Sequence, residues 1–257
     1  MKNRIRDNFD SSTLAYESEA WVQKSAAKRL AASLEPWKWT LPAGPVLELG
    51  AGTGFFTREL INLLPERKIE VTDLSEYMIR VCRQMTHEAE NLDFKLLDAE
   101  EWNPPEGKYA LVSGNFVAQW FRNPALTLGR YVEALKPGGL LLTSFPGHDS
   151  FPEWKDLCLD LGLPFTRNPL PDTEEIVVKL STRGAGVDYY EDSHTIEFES
   201  SLDFFRHLKK IGAATSTTGK KKQLTSKQFR LLTRHWDQEK SPTIRVTYHL
   251  VFLVVKK

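Results

Sequence analysis

Apolar residues along this chain recur at two spacings, and the switch between them marks out the elements. Val46, Leu47 and Leu49 surround Glu48 in a short run of strand character. Three glycines follow at Gly50, Gly52 and Gly54, and from Phe56 the apolar positions (Leu60, Leu63, Leu64) take helical spacing. Strand, glycine turn and helix are therefore predicted in that order, with Pro65 as the stop. The rhythm repeats downstream. Strands are predicted over 69–72, 91–97, 109–113 and 140–145, and helices over about 76–86 and 124–135. Ser75 and Asn123 stand where N-caps belong, Asn123 with Pro124 at the first helical position. An amphipathic helix over 16–34 precedes the first strand, with Trp21, Val22, Ala26, Leu30 and Leu34 on one face. Strands alternating with helices in this way predict a parallel sheet covered on both faces.

After residue 145 the pattern changes. Ser150 and Glu153 have capping-box spacing for a short helix, and Asp172 opens another to about 180. Between them lie the turn-rich Gly162-Leu163-Pro164 and Asn168-Pro169-Leu170-Pro171. Residues 146–183 are therefore expected to form a helical lid insertion over the strand ends. A strand over 187–198, helices over 201–211 and 225–236, and a β-branched last strand over 243–255 complete the chain. The expected fold is α/β, a Rossmann-like, seven-stranded, mostly parallel sheet. All of 1–257 is expected to be one domain, with 1–40 as an N-terminal helical segment.

The glycine turn carries the candidate chemistry. Glycine lets a ligand approach bare backbone, and a turn opening onto a helix N-terminus is how such folds hold nucleotides. A dinucleotide fingerprint needs a small residue where this chain has Phe55. Glu48, two residues before Gly50, would repel a pyrophosphate and suits an ammonium or sulfonium charge. Asp73 ends the second strand roughly 20 residues downstream, where an acid accepts from ribose hydroxyls. Adenosine with a cationic amino-acid tail describes S-adenosylmethionine, and Glu-x-Gly-x-Gly-x-Gly resembles motif I of the class I methyltransferases. The bland alternative is a glycine turn kept for packing alone.

The totals set bounds. The chain has 257 residues, 41% hydrophobic and 26% charged, an ordinary globular balance. With 34 basic and 34 acidic residues the formal charge is zero, so nothing demands nucleic acid. Cys82 and Cys158 lack C-x-x-C spacing, so no disulfide framework is expected and a reducing cytoplasm fits. No apolar stretch follows the basic N-terminus, and no run reaches bilayer-spanning length. A cytoplasmic monomer without a membrane partner is expected. The histidines show no metal-ligand spacing, so no metal is expected.

Further residues fall into a longer pattern: Ile5 and Phe9, Tyr16-Glu17, Asp73-Leu74-Ser75, and Asn115-Phe116-Val117-Ala118-Gln119-Trp120. Leu208-Lys209-Lys210-Ile211-Gly212-Ala213 and Thr247-Tyr248-His249-Leu250 continue it. With 46–54 these make the chain similar, nearly end to end, to the malonyl-acyl carrier protein O-methyltransferases of biotin synthesis. Ala110 departs from the aspartate usual in that family, Lys210 from a frequent glycine, and 146–183 matches loosely. The resemblance implies transfer of a methyl group from S-adenosylmethionine to the free carboxylate of a malonyl thioester, on carrier protein or on coenzyme A. Such a carboxylate is ionised at neutral pH, so no general base is needed, and no acid–base constellation is legible.

In that reading Glu48, Gly50, Ala51, Gly52 and Gly54 hold the methionine part of the donor and Asp73 its ribose. Leu74, Asp98 and Ala99 meet the adenine, and Asn115 lies beside the methyl group through its backbone or amide. Tyr16 and Gln119 are positioning candidates, with Trp120 beside them on the substrate side. Acyl carrier protein is the implied partner, and Arg206, Lys209 and Lys210 share a helix that would receive it. The triple lysine 220–222 is the lesser candidate, and His249 is the one histidine to test. Three alternatives stay open: another carboxylate or carbon as methyl acceptor, a non-catalytic carrier-protein-binding module, and a nicotinamide-dependent oxidoreductase, which Phe55 and Glu48 oppose.

Overall fold

The computed structural model describes residues 16–87, 89–182, 184–214, 223–239 and 242–257. Ile5, Phe9 and the lysines at 220–222 lie outside them. Five strands pair in parallel: β1 (Val46–Leu49), β2 (Ile69–Asp73), β3 (Leu92–Leu96), β4 (Tyr109–Asn115) and β5 (Leu135–Pro146). β6 (Gly186–Phe198) and β7 (Ile244–Lys256) pair antiparallel, and β7 also runs antiparallel to β5. The sheet order is β3-β2-β1-β4-β5-β7-β6. The chain winds outward from β1 in one direction and from β4 in the other. A crevice therefore opens past the carboxyl ends of these two strands, where open α/β sheets take ligands.

Side-chain alternation along the strands divides the core into two layers, one on each face of the sheet. Val46, Leu111, Leu140 and Phe252 face the first layer. Leu47, Val112, Leu141, Val251, Leu253 and Val255 face the second. The first layer is covered by α1 (Trp21–Leu34), α2 (Phe55–Leu63) and α3 (Glu76–Met85), through Leu30, Leu60 and Cys82 among others. The second is covered by α4 (Pro124–Glu133) and α6 (Thr173–Ser181), through Leu128, Tyr131, Ile176 and Leu180. The remaining helices, α5 (Pro152–Asp160), α7 (Ser201–Lys210) and α8 (Ser226–Glu239), join the first layer.

Local signals decide the caps. Ser75, Asn123, Asp172 and Ser200 each accept a bond from the backbone N–H three residues on. Elsewhere tertiary pairing wins. The helix expected over 16–34 breaks at Ala20, so residues 16–19 form a separate turn and Trp21 sits 38% exposed instead of in the core. β5 begins at Leu135, ahead of the expected 140, because Tyr109 of β4 already pairs with it there. Ser150 does not cap α5. Its hydroxyl bonds Gly147 O at 2.9 Å and His249 O at 3.1 Å, and Phe151, at φ 68°, takes the N-cap position. Glu153 turns to the Thr247 N–H at 3.0 Å instead of back to its own helix.

The stretch expected as a lid divides between the two faces of the sheet. α5 and residues 161–171 stand over the crevice side, whereas α6 packs against α4 on the opposite face. α7 and α8, inserted between β6 and β7, also cover the crevice end, a contribution that the sequence pattern does not indicate. Trp154, Phe165, Phe204, Phe205, Phe229 and Trp236 interlock there, with ring centroids 5.1 to 6.1 Å apart.

Candidate active site

The crevice contains a cleft with about 960 Å³ of empty space, open solvent included. All the donor residues expected from the sequence line it except Gly54. Glu48 is 1% exposed within β1, and its Oε2 has no hydrogen-bond partner among the described residues. Burial pushes its carboxyl up to about 8, against a bond from Thr57 and with Asp73 adding to the rise. Asp73 is held by two backbone donors, Gly52 N to Oδ2 at 2.9 Å and Ser75 N to Oδ1 at 2.8 Å. That grip fixes the carboxylate at the rim of the glycine turn.

Two glycines of the turn serve different ends. Gly52 has φ 57°, and a Cβ there would meet only Tyr16 Cε1, at 4.0 Å, so its backbone stays open to the cleft. Gly54, the α2 N-cap at φ 91°, would press a Cβ to 2.8 Å from Cys82 Sγ. The glycine is needed there for helix packing, and Gly54 does not line the cleft. Asp98 lines the cleft and also accepts from Glu100 N at 3.0 Å. Asn115 reaches the cleft, but its amide is engaged: Nδ2 donates to Gln23 O at 3.0 Å and Oδ1 accepts from Ser144 Oγ at 2.6 Å. Each end of the amide still has one further hydrogen-bonding site, so both the backbone and the amide stay open as routes to a ligand.

A second chamber, with about 1550 Å³ of empty space, adjoins the first and shares Tyr16, Phe116 and Trp120 with it. Tyr16 stacks on Phe55 with centroids 6.0 Å apart, and burial, then Asp73 and Glu17, hold its hydroxyl above the usual tyrosine value. Gln119 lines only the second chamber; its Nε2 donates to Phe116 O at 2.7 Å and its Oε1 has no partner among the described residues. The lining residues without an expected site role include Phe116, at φ 57°, Arg167 and Tyr248. A positive φ at phenylalanine leaves no sequence signal, since bulky residues rarely take it. Arg167 had one, a lone charge in a turn-rich apolar stretch.

The two chambers differ in charge. The acidic side chains Glu48, Asp73, Asp98 and Glu100 line the first, with no basic one among the described residues. Among the described residues of the second, Arg167 alone is charged. One chamber therefore favours a cation and the other an anion.

Residues 46–139 match a family model described as a methyltransferase domain. Over 212 residues the chain is 32% identical to the malonyl-[acyl-carrier protein] O-methyltransferase of Magnetococcus marinus, spanning 82% of this chain and 77% of that one. The chain belongs to the malonyl-[acyl-carrier protein] O-methyltransferase family. Malonyl-[acyl-carrier protein] O-methyltransferase 2 of Ilyobacter polytropus is 27% identical over 260 residues, all of this chain and 98% of that one. Among solved structures, YcgJ from Bacillus subtilis shares the fold with a TM-score of 0.63 at 14% identity, over 90% of this chain and 98% of that one. Phosphoethanolamine N-methyltransferase 2 of Haemonchus contortus, in complex with S-adenosyl-L-methionine, shares it at 0.56 and 17%, over 98% and 60%.

The methyl donor of this methyltransferase is S-adenosylmethionine. The acidic cleft fits it, with the orphaned Glu48 Oε2 beside the open Gly52 backbone and Asp73 anchored next to both. On the outside of α7, away from the chamber-lining Phe205 and Leu208, stand Arg206, Lys209 and Lys210. Arg206 pairs with Asp203 at 3.1 Å and Lys210 with Glu19 at 2.6 Å, while Lys209 makes no ion pair among the described residues. His249 lies near Glu191, at 3.3 Å, and outside both chambers. No described helix is long and apolar enough to cross a membrane.

Proposed function

We propose that this methyltransferase esterifies the free carboxylate of a malonyl group carried on acyl carrier protein, the step that opens the pimeloyl branch of biotin synthesis. The observation that carries the reading is the charge division: an acidic donor cleft joined, through Tyr16, Phe116 and Trp120, to an apolar chamber with one cation. When bound, S-adenosylmethionine supplies an electrophilic methyl carbon. The acceptor is already an anion at neutral pH, so the chain's task is to orient it and exclude water. Glu48 and the Gly50, Ala51 and Gly52 backbone hold the methionine part, Asp73 the ribose, and Leu74, Asp98 and Ala99 the adenine. Asn115 lies near the methyl carbon through its backbone or amide. Tyr16 and Trp120 form the partition, and Gln119 meets the acceptor from its side. The basic face of α7 receives the acidic carrier protein.

The test is methyl transfer followed by mass spectrometry, with malonyl-acyl carrier protein and malonyl-coenzyme A offered separately. A gain of one methyl group on the malonyl carrier protein is expected, with a smaller rate on the coenzyme A thioester. The Asp73→Ala variant should lose donor binding and turnover together. Methylation of unrelated carboxylates, with malonyl groups untouched, would sink the assignment.

A further inference from the structure

Arg167 lies between α5 and α6, in the coil that walls the second chamber. Its Nη2 donates to His148 O at 3.0 Å, but Nε and Nη1, both buried, have no partner among the described residues. The guanidinium carbon sits 5.3 Å from the Phe165 ring centroid, a favourable contact that leaves the in-plane donors unused. Asp149 attracts the group without forming an ion pair; burial outweighs that attraction and pulls the side chain below the usual arginine value. Buried charges without a partner are costly, so this arrangement is unfavourable until an anion arrives. Tyr248, 3% exposed on β7, adds to the same chamber a hydroxyl without a partner among the described residues.

We infer that Arg167 is the receptor for the acceptor carboxylate, and that it makes the chamber favour the free acid over the methyl ester. This rests on the proposed esterification. A guanidinium edge can hold one carboxylate oxygen and leave the other directed to the donor. Esterification removes the negative charge, so the product loses that attraction and leaves. Arg167 thereby links recognition of substrate to release of product.

Binding distinguishes this from a structural role. The acid and methyl-ester forms of malonyl-acyl carrier protein are titrated into the S-adenosylhomocysteine complex of the wild type, Arg167→Met and Arg167→Lys. The wild type is expected to prefer the acid. Arg167→Met should lose roughly a hundredfold in acid affinity, as for a charged hydrogen bond, with ester and S-adenosylhomocysteine affinities unchanged. Arg167→Lys, which keeps the charge and loses the planar fork, should fall between. Equal loss of acid and ester in either variant, or no loss in either, overturns the role of Arg167. A wild type that methylates the malonyl carrier protein without preferring acid to ester also overturns it, while leaving the esterification intact. A wild type that binds donor and methylates no malonyl group removes the underlying reading, and this inference with it.

Discussion

At the scale of single residues, the donor cleft depends on a carboxyl group kept out of water. Glu48, with its carboxyl pushed up to about 8, is mainly protonated in the empty cleft at neutral pH. A cationic ligand favours the ionised form, so binding should release a proton. Affinity for S-adenosylmethionine is therefore expected to rise with pH toward about 8 and then level off, and Glu48→Gln should flatten the profile. Calorimetry in two buffers of different ionisation enthalpy measures the proton directly. The stability sign is the opposite. A raised folded value means that the contribution of Glu48 is full below its ordinary 4.5 and is lost as pH rises through about 8. Glu48 and Asp73 were legible in the sequence because their spacing from the glycine turn is local. Arg167 and the amide of Asn115 were not, because their surroundings come from distant segments: Gln23 and Ser144 hold Asn115, and His148 holds Arg167.

At the scale of elements, capping was legible where donor and acceptor lie within one turn, as at Ser75, Asn123, Asp172 and Ser200. It failed at Ser150, where His249 on β7 engages the hydroxyl and no local spacing announces it. The glycine turn shows the same limit, since a repeated residue type concealed two duties. Gly54→Ala is expected to destabilise the fold by about 1–2 kcal/mol for the left-handed backbone, with an added cost from Cys82, while donor affinity of the folded protein holds. Gly52→Ala carries a similar backbone strain but should also weaken donor binding, because its Cβ would occupy the open approach to the cleft. Denaturant titration paired with S-adenosylhomocysteine binding separates the two. Equal loss of affinity in both variants would contradict the division of roles.

Across the whole molecule, the parallel core was legible from alternating spacing, whereas the cover of the second chamber was not. Its walls come from α5, from the coil after it and from the helices between β6 and β7, and their aromatic packing has no periodic signature. The basic face of α7 lies on this cover, and Lys209 is its charge without an ion pair among the described residues. Lys209→Glu is expected to lower kcat/KM for malonyl-acyl carrier protein several-fold at low salt and progressively less as salt rises, with a malonyl thioester lacking the carrier unaffected. Stopped-flow association rates at two ionic strengths check this. β7 lies between β5 and β6 in the sheet. Residues 244–256 give β6 its sheet partner and bring Tyr248 into the second chamber, so a shortened chain lacking them would forfeit an edge of the sheet and a wall of the chamber at once.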